Sequence, residues 1–282
     1  MDVTLAKTFL MVAETGSFIE TGRRLNVTQS TVSARIKGLE DNLGKPLFIR
    51  GKSGAELTQA GQQFQKHALA LIRIWRHAQL EVGLSEKHRD HLSAGAPPIL
   101  WQGFLLNWVS WLRGNIPDIA VSAVSGLASH HMQRLVEGTL DLAVLYRPVQ
   151  LPGFINEHLF DEEFVMVTSG KPGSRRAGQE YIFIDWGIDF QQDHAAAFPE
   201  MVNPPLNLDL GGMALDYLLG NDGQAYFPRR LVKGHVARGK LRETKRARRF
   251  IYPVYMIYPE ARDEEAYAPI LDALRAEAVR LR

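Results

Sequence analysis

The spacing of apolar positions changes twice along the chain, and the three rhythms predict three kinds of structure. The first runs from the N-terminus to about Gly61. A short helix carrying Ile19 and Leu25 inward ends at Asn26, a residue that tolerates the left-handed conformation of a tight turn. Thr28 or Ser30 then offers a side-chain oxygen to cap a second helix, in which Val32, Ile36, Leu39 and Leu43 recur at helical intervals on one buried face. Gly44 can close that helix. Pro46 to Arg50, a glycine-rich turn over 51–54 and Glu56 to Thr58 follow as strand, turn and return strand.

The second rhythm begins at Gln59. No proline occurs up to about Glu86, and Phe64, Ala68, Leu71, Trp75, Ala78 and Val82 recur at intervals of 4, 3, 4, 3 and 4. That is the spacing of a helix-helix seam. Leu69, Ile72 and Ile74 widen the stripe, so burial against the chain's own domains competes with pairing to a second copy; the spacing favours the dimer.

Beyond 90 the pattern alternates between strands and helices, which indicates a parallel sheet. Strands are predicted at 91–94, 119–124 and 140–146, with helices at 99–113 and 127–137 between them. Further strands at 164–168, 182–185, 207–210 and 224–227, with a helix at 213–219, form a second half. A strand at 252–258 returns to the first, and an amphipathic helix over 267–281 closes the chain. The expected fold is α/β: an N-terminal helix-turn-helix with a wing over 1–58, a linker helix over 59–90, and two α/β lobes with two crossovers over 91–282.

Composition narrows the chemistry. The 282 residues include no cysteine, which removes disulfides, thiolate metal sites and cysteine nucleophiles. No apolar run approaches the roughly eighteen residues of a membrane span, and Asp2, Lys7 and Glu14 interrupt the N-terminus, so the chain reads as neither membrane-spanning nor secreted and the cytoplasm is its expected location. The net charge of +2 conceals segregation. Residues 1–90 hold thirteen Lys/Arg against nine Asp/Glu, 91–228 six against fifteen, and 229–249 ten against one. The last stretch reads as a solvated face or as a DNA or anion contact.

The exposed face of the second helix presents Ser30, Ala34, Lys37 and Gly38, flanked by Thr31, Ser33 and Arg35. Small residues permit close approach, and hydroxyl, amide and cationic groups can bond base edges and phosphates. An ordinary amphipathic helix with a solvated face gives the same periodicity. The hairpin with Arg50 and Lys52 at its tip favours the DNA reading, because a basic wing beside such a helix clamps phosphates.

These residues resemble the winged helix-turn-helix of the LysR-type transcriptional regulators. The match includes Phe9, Ala13, Ser17-Phe18, Leu25, Thr28-Gln29-Ser30, Val32-Ser33, Ile36, Leu39-Glu40, Leu43-Gly44, Leu47-Phe48, Arg50, Leu57-Thr58 and Ala60-Gly61. Thr21 and Gly22 stand where the family more often has alanine-like residues, and Ala34 where it often has arginine; Arg35 next door is the candidate substitute. Gly138-Thr139-Leu140-Asp141-Leu142-Ala143 is similar to a segment of the family's effector domain, and Trp186 to Gln192 resembles a branch that includes a flagellar-operon repressor. The resemblance implies a regulatory domain of the periplasmic-binding-protein type, a homodimer or homotetramer paired through Phe64, Ala68, Leu71, Trp75, Ala78 and Val82, and a double-stranded operator read by Thr28, Gln29, Ser30, Thr31, Ser33, Arg35, Lys37, Arg50 and Lys52. It also implies a small-molecule effector, RNA polymerase as a partner if the protein activates, and no membrane.

Ligands of open α/β sheets bind at the carboxyl ends of strands. The predicted lining is Ala96, Pro97, Pro98, Ser125, Tyr146, Trp186, Phe190 and Phe227. With two prolines and no hydroxyl over 95–98, anion donors are few, so a neutral or aromatic ligand is expected over an aliphatic carboxylate. No cofactor, metal or catalytic residue is expected: His130-His131 lacks acidic ligands at helical spacing, Asp185, Asp189 and Asp193 read as structural carboxylates, and neither a Gly-x-Ser-x-Gly elbow nor a phosphate-binding loop occurs.

Overall fold

A computed structural model describes residues 2–51, 54–81, 90–170, 180–201, 204–260 and 264–281. Helices α1 (Val3–Thr15), α2 (Phe18–Arg24) and α3 (Gln29–Leu43) pack with the hairpin β1 (Phe48–Gly51) and β2 (Gly54–Leu57). Each helix has a side-chain cap at its start: Asp2 accepts from Thr4 N, Ser17 from Glu20 N and Thr28 from Thr31 N. Gly16 and Gly44, both left-handed, end α1 and α3. The turn before α3 contains Asn26 at φ 52°, as its sequence predicts.

Val32, Ile36 and Leu39 are fully buried, but Leu43 is exposed because the helix ends beside it. Ile19, predicted inward, is 55% exposed; α2 instead buries Phe18, Thr21 and Gly22. The Thr21 hydroxyl meets that of Thr15 at 2.8 Å, which satisfies a polar group where an apolar one is usual. Helix α4 (Gln59–Glu81) then leaves the hairpin.

The larger domain begins with β3 (Asp90–Ala96), α5 (Pro98–Leu100), α6 (Leu106–Asn115), β4 (Ile119–Ser125), α7 (Ala128–Val136) and β5 (Leu142–Tyr146). It continues with β6 (Phe154–Thr168), β7 (Ile182–Ile184), α8 (Ile188–Ala197), β8 (Leu206–Leu208), α9 (Ala214–Gly220), β9 (Gln224–Pro228) and α10 (Arg229–Ala237). β10 (Arg242–Glu243), β11 (Phe250–Pro259) and α11 (Glu264–Val279) complete it. Strands β4, β3 and β5 are parallel, and β5 pairs antiparallel with β11. β6 and β11 pair along ten residues and run through both lobes, with β9 and β10 both paired to the C-terminal part of β6, within 164–168. β7 and β8 form a separate parallel pair.

Three features depart from the expected elements. β6 starts at Phe154, ten residues before the apolar run that announced it, because His158, Asp161, Glu162 and Glu163 mask its first half. α8, α10 and the two-residue β10 were not signalled, the last two lying inside the basic stretch. The helix predicted over 99–113 breaks at Gln102 (ψ 120°) and Gly103 (φ 69°), so its first turn and α6 are separate pieces.

Separate cores fill the lobes. Trp108, fully buried in the first, donates its indole N–H to Ile270 O at 3.0 Å, tying α6 to α11. Rings of Phe164, Phe183, Phe190, Tyr226 and Phe250 fill one face of the second. Another continuous core runs from Phe9, Phe18 and Phe48 through Phe64, Leu69 and Ile72 to Leu145 and Phe154. Within it Gly61 seats α4 directly on the hairpin, where a methyl group would collide with the Leu47 carbonyl and the Leu57 side chain. Gly61→Ala should therefore lower the urea midpoint, costing about 1–3 kcal/mol by overpacking. An unchanged midpoint would show that α4 lifts off the hairpin freely.

Candidate DNA-contact surface and interlobe cleft

The start of α3 is a cluster of hydroxyls. Thr28 Oγ1 caps Thr31 N at 3.2 Å and lies 2.8 Å from Ser30 Oγ and 2.9 Å from Thr31 Oγ1. Thr28, Gln29, Ser30, Ala34 and Lys37 are exposed, and Thr31 and Ser33 half-buried. The apolar face beneath is closed, so this polar face stands free at the protein surface. Ser33, Ala34 and Lys37 line an open depression of about 840 Å³ that continues to Gly44, Lys45 and Pro46.

Glu40 positions the wing. Its Oε1 accepts from Leu47 N at 2.7 Å and Phe48 N at 3.2 Å, fixing the start of β1 to the last turns of α3. Arg50 sits in β1 opposite Ala55, and Lys52 lies outside the described residues. Arg35 turns away from the exposed face: its Nη1 donates to Thr8 Oγ1 of α1 at 3.3 Å. It does not take the place that Ala34 leaves open.

The linker helix divides the expected seam. Phe64 and Ala68 are buried within the chain, Phe64 edge-on to Phe9 with ring centroids 5.0 Å apart. They are core residues here rather than interface residues, because α1 covers them. Leu71 is half-buried, and Ile74 (63%), Trp75 (49%) and Ala78 are exposed; Val82 lies outside the described residues. Leu69 and Ile72 turn the opposite way, toward the first lobe, where Leu69 Cδ1 lies against Gly153.

The expected effector lining separates similarly. Ala96 is buried and its carbonyl accepts Trp101 Nε1 at 3.2 Å; Pro97 and Pro98 start α5 without a side-chain cap, and Ser125 is exposed at the end of β4. Phe190 and Phe227 are buried in second-lobe cores, so neither ring lines an open cleft. Trp186 donates to Tyr226 O at 2.9 Å and packs edge-on to Phe164 and Phe227. The aromatic-ligand expectation thereby loses two of its four rings to packing.

The contact between the lobes is centred on residues that the sequence did not single out. Arg230, the second residue of α10, is 8% exposed and Glu162, midway along β6, is 3% exposed; Arg230 Nε lies 2.8 Å from Glu162 Oε2. Nη2 donates to Ile99 O at 2.6 Å and Nη1 to Gln102 O. Tyr146 OH donates to Glu162 Oε2 at 3.3 Å. Burial pushes the Glu162 carboxyl above its ordinary range, opposed by the Arg230 guanidinium. Arg230 stood in a basic run that read as solvated; the signal against that reading was the buried strand ending immediately before it.

Several other charges pair locally. Arg229 and Arg249 alternate with Glu163 and Glu243 in a four-member cluster at 2.7–3.3 Å. Asp185 accepts from Gly187 N, while Asp193 bonds Tyr252 OH at 3.0 Å and faces Arg147 at 3.6 Å. His131 is buried, which lowers its pKa, and among the described residues no group of three or more potential metal ligands occurs.

Residues 3–62 match the bacterial regulatory helix-turn-helix protein family of lysR type, and residues 85–279 match the LysR substrate binding domain. The chain belongs to the LysR family and is a DNA-binding transcriptional regulator. It is 28% identical over 282 residues to the HTH-type transcriptional regulator HdfR of Salmonella typhimurium, covering 99% of both chains. Among solved structures, ArgP from Mycobacterium tuberculosis aligns with a TM-score of 0.60 at 24% identity, covering 99% of this chain and 97% of that one. LysG from Corynebacterium glutamicum, solved with bound effector Arg, aligns at 0.62 and 16% identity over 99% of each chain. Vibrio fischeri DarR, solved in complex with DNA, aligns at 0.58 and 20% identity over 98% of each. These three share the fold. No described helix is long and apolar enough to cross a membrane.

Lys37→Ala should weaken duplex binding across sequences and reduce the dependence of log affinity on log salt by about one unit. Unchanged affinity and slope in fluorescence titrations would place the docking face elsewhere.

Proposed function

We propose that the chain acts in the cytoplasm as a homodimer or homotetramer that binds a partly palindromic operator through α3 and the wing, under control of a small molecule received between the lobes. The observation that carries the DNA half is the hydroxyl-rich, exposed start of α3 above a fully buried apolar face. Gln29, Ser30 and Ser33 set base preference, while Lys37, Arg50 and Lys52 hold phosphates. RNA polymerase is a partner if the protein activates.

The dimer rests on the outward side of α4. Leu71, Ile74, Trp75 and Ala78 form a strip that Phe64 and Ala68 do not share. A two-fold axis through it sets two α3 helices in successive major grooves. Trp75→Asp should leave the monomer folded, since the ring is not in a core, and should shift sedimentation to the monomer with a sharp fall in operator affinity as two-site binding is lost. A fully dimeric Trp75→Asp protein would exclude this strip.

A second reading, in which the larger domain serves assembly alone, is favoured by Arg230 filling the cleft. Operator titrations with and without candidate ligands separate the two: ligand-dependent affinity supports control, and constant affinity supports the scaffold. Failure to retain duplex DNA at low salt would overturn both.

A further inference from the structure

The break in the first-lobe helix and the burial of Arg230 are one feature. At Gln102 and Gly103 the backbone leaves helical geometry, and the N–H of Leu106 bonds Trp101 O, so Gln102 O loses the partner a continuous helix would supply. Gln102 O and Ile99 O then face the second lobe, and with the Glu162 carboxylate they form a set of three acceptors around one point. The planar fork of Arg230 meets all three. Gln102 also lies against Gly212 of the second lobe, in space that any side chain at 212 would need.

We infer that the carboxylate of Glu162 and the carbonyls of Ile99 and Gln102 are a guanidinium-binding site occupied in cis by Arg230, and that the effector able to open this cleft carries a guanidinium group that displaces it. The effector half of this statement rests on the proposed ligand control; the site itself does not. An anion entering here meets carboxylate and carbonyl oxygens, and drawing Arg230 to itself leaves Glu162 buried and unpaired. A guanidinium ligand leaves every acceptor satisfied and releases Arg230 toward solvent. It competes with a tethered group of high effective concentration, so the unaltered chain responds only at high ligand concentration.

The test removes the tethered occupant. Full-length Arg230→Ala, titrated with methylguanidinium at constant ionic strength, should melt below the unaltered chain and regain stability saturably, with a calorimetric midpoint at least tenfold lower than the unaltered chain shows. Methylammonium and acetate should give no comparable recovery. Absence of saturable binding to folded Arg230→Ala, or equal midpoints in the two proteins, would overturn the assignment. Should Arg230→Ala not fold, Arg230→Met and Glu162→Gln/Arg230→Met are compared in urea: the double variant should have the higher midpoint because no carboxylate is left unpaired, and an equal or lower midpoint counts against the site. Both readouts use protein without DNA, so failure to bind an operator would bear on the regulator reading and not on this one.

Discussion

Helix α4 has to satisfy three neighbours at once, and the arrangement of the molecule follows from how its faces are divided. Phe64 and Ala68 complete the core of the DNA-binding domain against Phe9 and Phe48. Further along, Leu69 and Ile72 pack toward the first lobe, at the same core's other end. What remains is the strip from Leu71 to Ala78, half-buried or exposed and carrying Ile74 and Trp75. A helix buried on two sides and apolar on a third leaves a strip open to a partner, and the proposed dimer covers it with a second copy. The orientation of α3 in the dimer is then inherited from α4 through aromatic contacts.

The two lobes are joined by a different principle. β6 and β11 run through both, so the lobes share a sheet instead of meeting through loops alone. Near the middle of β6, Glu162 is buried with Arg230, and the guanidinium reaches across to carbonyls at the break before α6. A buried pair of this kind contributes little net stability over an apolar packing, but breaking it costs about 3–5 kcal/mol. What it supplies here is a direct tie between β6, α10 and the break before α6.

Much of the DNA-binding domain was legible because its signals are local. Asn26 at the turn, Thr28 at the cap, Gly44 at the helix end and the apolar triplet Val32, Ile36 and Leu39 each act within a few residues. The cleft was not, because its parts come from distant places in the chain. Ile99, Glu162 and Arg230 acquire meaning only when β6 places them together, and the charges that hid the first half of β6 also hid the site. The seam of α4 was half legible: periodicity reported which residues are apolar along the helix, and could not report that α1 takes Phe64 and Ala68 while leaving Trp75 outside.

The central claim is that two copies present two α3 helices to one duplex. Sequencing the DNA that the purified full-length protein retains from a fragmented genomic library tests it most directly. The account predicts enriched sites made of two related, inverted half-sites whose centres lie about one helical turn, or a multiple of it, apart. Enrichment of single unrepeated motifs, or no enrichment over the input library, would contradict it.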